Sequence, residues 1–261
     1  MSVGANGGPS DVAIEARDIE KGFGHLEVLR GTSLRIRRGE VVALVGDNAA
    51  GKSTLLKVLA GVHQPDAGEV RIRDRAVSLD SVRDSQGRGI QVVYQDLALA
   101  PDLTIAESMF LGHERMARRW RRLGVIDRKT MGAEAAAAIR RLGVSLPAVD
   151  AAIGSLSGGQ RQAVAIARAV RWAENVLLMD EPTAALGVRQ TEIVTNVIRA
   201  AADSGLGVLV ISHDMPHMLR TADRIAVLRH GVVVADQPAE HLTITKIVGF
   251  MLGLEEAGHD G

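Results

Sequence analysis

The stretch Gly46-Asp47-Asn48-Ala49-Ala50-Gly51-Lys52-Ser53-Thr54 narrows the folds open to this chain more than any other. It reads G-x-x-x-x-G-K-S. Glu40-Val41-Val42-Ala43-Leu44-Val45 precedes it, a short apolar run of strand length. Thr54-Leu55-Leu56-Lys57-Val58-Leu59-Ala60 follows, of helical composition and ended by Gly61. Between a strand and a helix, such a loop curls several backbone N–H groups toward one centre, and the helix start adds partial positive charge there. Gly46, Asn48, Ala49, Ala50, Gly51, Lys52, Ser53 and Thr54 are thus expected to cradle the phosphates of a nucleotide. Lys52 would reach the β- and γ-phosphates, and the Ser53 hydroxyl a Mg²⁺ ion.

The rest of the composition fits a soluble globular chain of 261 residues, with 46% hydrophobic and 24% charged residues. The formal net charge of +0 argues against a general nucleic-acid binder. Aromatics at 2% argue against a stacking platform for single strands. There is no cysteine, which removes disulfides, thiol catalysis and thiolate metal sites. Residues 1–10 lack the apolar centre of a signal peptide and read as a tail. No run approaches the about 18 apolar residues of a membrane span.

In chain order, Asp11 to Lys21 contains an alternating stretch, and Ser33–Arg37 and Glu69–Arg73 alternate more cleanly. All read as half-exposed antiparallel strands. Phe23 lies between Gly22 and Gly24 in what reads as a turn, open to a packed ring or to one that stacks on a purine. Gly89 to Gln95 reads as a strand ending in Gln95. From residue 96 to 159 the pattern is helical, with a capping box at Thr104-Ile105-Ala106-Glu107 and an alanine-rich helix from Ala133 to Leu142. Arg115, Arg118, Arg119, Arg121 and Arg122 form a basic run, read as a solvated face, with an acidic partner surface as the alternative.

Leu156-Ser157-Gly158-Gly159-Gln160 opens a helix with Ala163, Val164, Ala167 and Val170 on one face. Ser157 suits a helix cap and equally an anion site. Asn175 to Met179 is a continuous apolar run, a strand covered on both faces, and Asp180-Glu181 stand at its carboxyl end, where open α/β sheets bind ligands. Thr191–Ala202 reads as an amphipathic helix. Gly207–Ile211 is another buried strand, followed by Ser212 and His213. Arg224–Leu228 and Val232–Ala235 suggest a hairpin around His230-Gly231, and Thr243–Leu254 a short helix.

Taken together, the phosphate loop, Gln95, the pentapeptide 156–160, Asp180-Glu181 and His213 resemble the ATP-binding cassette (ABC) transporter ATPases. The likeness runs from Asp11 to Leu254. The resemblance implies an α/β P-loop NTPase (RecA-like) core at 11–95 and 160–254, with an antiparallel β subdomain. A helical subdomain would be inserted at 96–159, with loose tails at 1–10 and 255–261. It implies ATP and Mg²⁺ as cofactors. Ser53, Gln95 and Asp180 would stand at the metal, and Glu181 would be the base that orients the attacking water. His213 would steady the γ-phosphate and Phe23 would stack on adenine. Ser157, Gly158, Gly159 and Gln160 would reach the nucleotide of a second copy, so a homodimer is implied. So are transmembrane permease subunits, an extracytoplasmic solute-binding protein acting indirectly, no nucleic acid, and a peripheral place on the cytoplasmic face of the inner membrane.

Two positions depart from the family. Ala49 replaces a usual glycine, and Gly187 replaces an aspartate that links the two nucleotide sites. The stretches Gly46-Asp47-Asn48, Thr104–Gly112 and Ala184–Val188 look like cassettes of bacterial fructose-, ribose- and xylose-type importers. The readings set against this one are a soluble ABC-type ATPase acting on ribosome or DNA, and a small-molecule kinase or GTPase. The pentapeptide and His213 argue against the last.

Overall fold

The computed structural model describes residues 11–117, 124–184 and 186–255. In chain order the elements are β1 (Val12–Phe23), β2 (Leu26–Arg37), β3 (Val41–Val45), α1 (Lys52–Leu59), β4 (Ala67–Ile72), β5 (Arg75–Val77), α2 (Val82–Gly87), β6 (Ile90–Val93), α3 (Ile105–Phe110), α4 (Arg128–Arg141), α5 (Gly158–Trp172), β7 (Val176–Asp180), α6 (Val188–Asp203), β8 (Gly207–Ile211), α7 (Met215–Thr221), β9 (Arg224–Arg229), β10 (Val232–Pro238) and α8 (Ile244–Leu252). Strands β2-β1-β4-β5 form an antiparallel sheet. The second sheet has the order β10-β9-β3-β8-β7-β6 and is parallel except at β10.

The apolar runs at β3 and β7 are buried on both faces because the parallel sheet is covered on both sides. Val41, Ala43 and Val45 of β3 join Leu177 and Met179 of β7 in one core, which includes α3, α4, α5 and α6. Val42, Leu44, Val176 and Leu178 point the other way, into a second core shared with α1 and the antiparallel sheet. Alternate residues of one strand thus build two different cores.

Local signals set the helix starts. Thr104 and Glu107 make the expected capping box: the Glu107 N–H donates to Thr104 Oγ1 (3.1 Å) and the Thr104 N–H to Glu107 Oε2 (3.0 Å). The alanine-rich helix starts earlier than Ala133, because Asp127 Oδ1 accepts from the Thr130 N–H at 3.0 Å and caps α4 there. The helix expected from Thr191 likewise begins at Val188, and the hairpin around His230-Gly231 is present as β9 and β10.

Two expectations fail. The alternation drawn at Val12–Arg17 is absent: Ala13, Ile14, Glu15 and Ala16 are all buried. β1 is an inner strand between β2 and β4, and Glu15 is accommodated by an ion pair with Arg35 at 2.8 Å. Phe23 is not in a turn but is the last residue of β1, paired with Leu26. Of the basic run, Arg115 pairs with Glu134 (3.6 Å); residues 118–122 and both tails up to residue 10 and from residue 256 lie outside the described residues. Among the described residues no helix is long and apolar enough to cross a membrane.

Candidate functional site

Strands β3, β8 and β7 lie side by side, with Leu44 and Asp180 both level with Ile211. Their carboxyl ends therefore open on one crevice. The loop Gly46–Gly51 leaves β3, Asp180 closes β7 with Glu181 next, and His213 follows β8. Gln95 arrives from β6, two residues beyond the strand's end at Val93. A cleft of about 320 Å³ is lined by Asn48, Ala49, Gly51, Lys52, Ser53, Thr54, Gln95, Asp180, Glu181 and His213. Sequence reasoning missed three further lining residues, Leu26, Val28 and Ile211. Ile211 was legible as the last apolar residue before Ser212-His213. Leu26 and Val28 come from the other sheet, and nothing near the motif points to them.

The loop's shape depends on its first glycine. Gly46 has φ +153°, and a Cβ there would stand 2.2 Å from the Leu228 carbonyl oxygen. The loop is closed by an Ala50 N–H bond to the Asp47 carbonyl (3.1 Å) and braced from the β9–β10 turn, where the Gly231 N–H donates to Ala50 O (3.0 Å). Lys52 is buried, and its Nζ donates to the carbonyls of Gly46 (2.7 Å) and Asp47 (2.8 Å). Burial lowers its pKa, against the attraction of Glu181, Asp47 and Asp180. The ammonium is therefore parked on its own loop, where phosphate oxygens can replace two carbonyls.

Ala49 has φ +66°, a left-handed conformation that costs an L-residue about 1–2 kcal/mol. The departure from glycine is thus a strained position within the cradle. Ala49→Gly is expected to relieve that strain and raise thermal stability slightly, since the greater unfolded-state entropy of glycine returns about 0.4–1 kcal/mol. A fall of several degrees in Tm would contradict this account of the loop.

Glu181 is the second strained residue, with φ +51°; its N–H is held by the Ile211 carbonyl at 2.9 Å. His213 Nε2 stands 3.0 Å from Glu181 Oε1, yet that buried oxygen has no aligned hydrogen-bond donor. A close approach without alignment leaves that buried oxygen unsatisfied, on a side chain that lines the cleft. Burial raises the Glu181 pKa, offset in part by His213. A base must be deprotonated to act. Turnover is expected to be lost as pH falls through a pKa above that of an ordinary glutamate. A kcat profile whose acidic limb lies at or below the ordinary glutamate range would contradict that role.

Not every candidate reaches this cleft. Ser157 is the exposed N-cap of α5, its Oγ accepting from the Gln160 N–H (3.3 Å) while Gln160 Oε1 accepts from the Ser157 N–H (3.0 Å). Gly159 lies where α5 crosses α6, and a Cβ there would come within 2.8 Å of Gln190 Cβ. None of residues 157–160 lines the cleft of its own chain. Phe23 is 45% exposed, edge-on to His63 with ring centroids 5.2 Å apart, and also lies outside that lining. Gly187 caps α6 without a side chain, its N–H donating to Gln190 Oε1 at 3.3 Å.

Comparison with known proteins gives a consistent result. A family model described as ABC transporter matches residues 29–184. The chain is 41% identical over 238 residues to the xylose/arabinose import ATP-binding protein XylG of Sulfolobus acidocaldarius, covering 91% of this chain and 93% of that one. It is 38% identical to the fructose import ATP-binding protein FrcA of Rhizobium meliloti, with 93% and 95% covered. It is also 41% identical to the ribose import ATP-binding protein RbsA of Rhodococcus jostii, over 94% of this chain, but spans only 48% of that relative's length. Among solved structures, a nucleotide-free ATP-binding cassette from an ABC transporter superposes with a TM-score of 0.78 at 23% identity, covering 91% of this chain and 95% of that one. A dimeric bacterial ABC transporter cassette superposes with a TM-score of 0.68 at 27% identity, covering 87% and 98%.

Proposed function

The chain belongs to the ABC transporter family, and from that premise we infer that it is the ATP-hydrolysing subunit of an importer, with a monosaccharide as the cargo. The observation that carries the enzymatic reading is the meeting of Lys52, Ser53, Asp180, Glu181, His213 and Gln95 in one cleft at the ends of adjacent parallel strands. The sugar comes from relatives at about 40% identity that are named for xylose/arabinose and fructose import. The neutral net charge favours this reading over a ribosome- or DNA-directed ATPase.

The residues divide the work by position. The loop's backbone N–H groups and the α1 start receive the phosphates, and Lys52 supplies positive charge to the β- and γ-phosphates. Ser53, Asp180 and Gln95 offer only oxygen donors. Among the described residues no cluster of three or more His, Asp or Glu forms a closed metal cage. That fits Mg²⁺, which keeps waters and phosphate oxygens and takes few protein ligands. When bound, Mg²⁺ would neutralise charge on the phosphates. Glu181 Oε1, left without an aligned donor, would orient the attacking water, and His213, 3.0 Å away, would steady it.

The exposed Ser157 cap and the half-buried Gly158 stand outside the lining of that cleft, which leaves them free to serve the cleft of a second copy, while buried Gly159 lets α5 pack closely on α6. An isologous pair would then hold two nucleotides at its interface. Ser157→Arg is expected to stop hydrolysis while leaving nucleotide binding to the single chain unchanged, because the arginine blocks the partner's γ-phosphate and not its own cleft. Loss of binding measured by fluorescent ATP titration would instead make Ser157 a structural cap alone.

The importer role implies permease subunits and a peripheral position at the cytoplasmic face of the membrane. A tagged Glu181→Gln chain, captured from solubilised membranes with ATP and Mg²⁺ and analysed by mass spectrometry, tests this. Recovery of a multi-spanning permease is expected. Recovery of ribosomal or DNA-repair proteins without one would overturn the transport reading.

A further inference from the structure

A second cavity, separate from the nucleotide cleft, stands among the described residues. It measures about 720 Å³ and includes Arg38, Arg73, Arg75, Arg88, Glu174 and Asn175 in its wall. Asn175 directly precedes β7, whereas Asp180 closes it. The cavity therefore lies at the opposite end of that strand from the cleft and shares no lining residue with it.

Its charges do not balance internally. Arg88 is matched by Asp84 at 3.2 Å. Exposed Arg38, Arg73 and Arg75 have no carboxylate partner among the described residues, and Glu174 is the one acidic side chain in the wall. Three unmatched guanidiniums against one carboxylate leave a surplus of two positive charges, the charge of one phosphomonoester dianion.

The wall is also built. Arg73 and Asp74 form the β4–β5 turn with φ +49° and +62°, left-handed conformations that suit Asn-Gly and are strained for these residues. The turn is pinned by Arg71, whose Nε donates to the Asp74 carbonyl at 3.2 Å. Arg73 Nε donates to Asn175 Oδ1 at 2.8 Å, and buried Asn175 donates from Nδ2 to the Arg88 carbonyl at 2.8 Å. One edge of the Arg73 guanidinium is thus fixed, and its terminal nitrogens are left for another acceptor. Glu174 can accept from hydroxyl groups, and buried Ile72 supplies an apolar floor. The volume falls within the range of small-molecule sites.

We propose that this cavity binds a soluble, hydroxylated phosphomonoester of sugar-phosphate type, its phosphate held by Arg38, Arg73 and Arg75 and its hydroxyls by Glu174. Glucose 6-phosphate is the probe, titrated calorimetrically into the full chain at low ionic strength. One saturable site is expected, with unphosphorylated glucose giving no binding. Arg75→Glu and Arg38→Glu, neither of which breaks an ion pair or hydrogen bond of the fold, should each weaken binding roughly tenfold or more. Lys52→Ala should leave it unchanged, and unaltered melting curves would show that the variants fold. Three results would overturn the proposal. One is no saturable heat at millimolar ligand. Another is binding that is lost in Lys52→Ala but survives in Arg75→Glu, which would place the ligand in the nucleotide cleft. The third is Arg75-dependent capture by phosphatidic acid vesicles with no binding of glucose 6-phosphate, which would assign the arginines to a lipid headgroup.

Discussion

Replacing Lys52 with alanine is expected to weaken ATP binding by about a hundredfold or more and to reduce turnover by roughly a thousandfold. The ammonium makes charge-assisted contacts with two phosphates, each worth about 1.5–3 kcal/mol, and its charge is needed most as the γ-phosphate leaves. The change is clean for a structural reason. Lys52 Nζ donates to the Gly46 and Asp47 carbonyls, at 2.7 and 2.8 Å, and the loop's other braces are the Ala50 N–H bond to the Asp47 carbonyl and the Gly231 N–H bond to the Ala50 carbonyl. The cradle should therefore keep its shape in the variant. Fluorescent-nucleotide titration alongside phosphate release distinguishes the outcomes. Wild-type turnover in Lys52→Ala would remove the loop from the chemistry.

Glu181→Gln is expected to cut turnover by about a hundred- to ten-thousandfold, the range of a general base, while leaving ATP affinity intact or improved. The carboxamide keeps the shape of the side chain, including the φ +51° backbone held by Ile211, but cannot take a proton from water. It also removes a charge that burial disfavours. Because the folded-state pKa of Glu181 is raised, this group favours the folded state in acid and loses that contribution as pH rises through the folded pKa. The neutral variant should therefore be at least as stable as wild type near neutral pH. A less stable variant that retained activity would mean that Glu181 serves the fold.

The features legible in the sequence are those whose partners lie close along the chain. The loop after β3, the carboxylates ending β7 and His213 after β8 are each announced by an apolar run, because a strand covered on both faces must end where polar side chains begin. Placing those ends side by side needed the strand order β3-β8-β7, which the apolar runs alone do not reveal. What stayed hidden depends on distant contacts. β1 loses its alternation because a register shift against β2 between Val12 and Ile14 turns Ala13 and Ile14 into one core, and Arg35 pairs with Glu15. Leu26 and Val28 enter the cleft from another sheet. The strain at Ala49 is a matter of φ alone, and the arginine cavity is assembled from four separate segments of chain.

In the proposed dimer one chain holds half of each working site, with Lys52 and Glu181 in its own cleft and Ser157 serving another copy. Sedimentation velocity of Glu181→Gln with and without ATP and Mg²⁺ tests it most directly. A monomer is expected without nucleotide, a dimer with it, and return to monomer when Ser157→Arg is added. A chain that binds ATP yet sediments as a monomer throughout would contradict it.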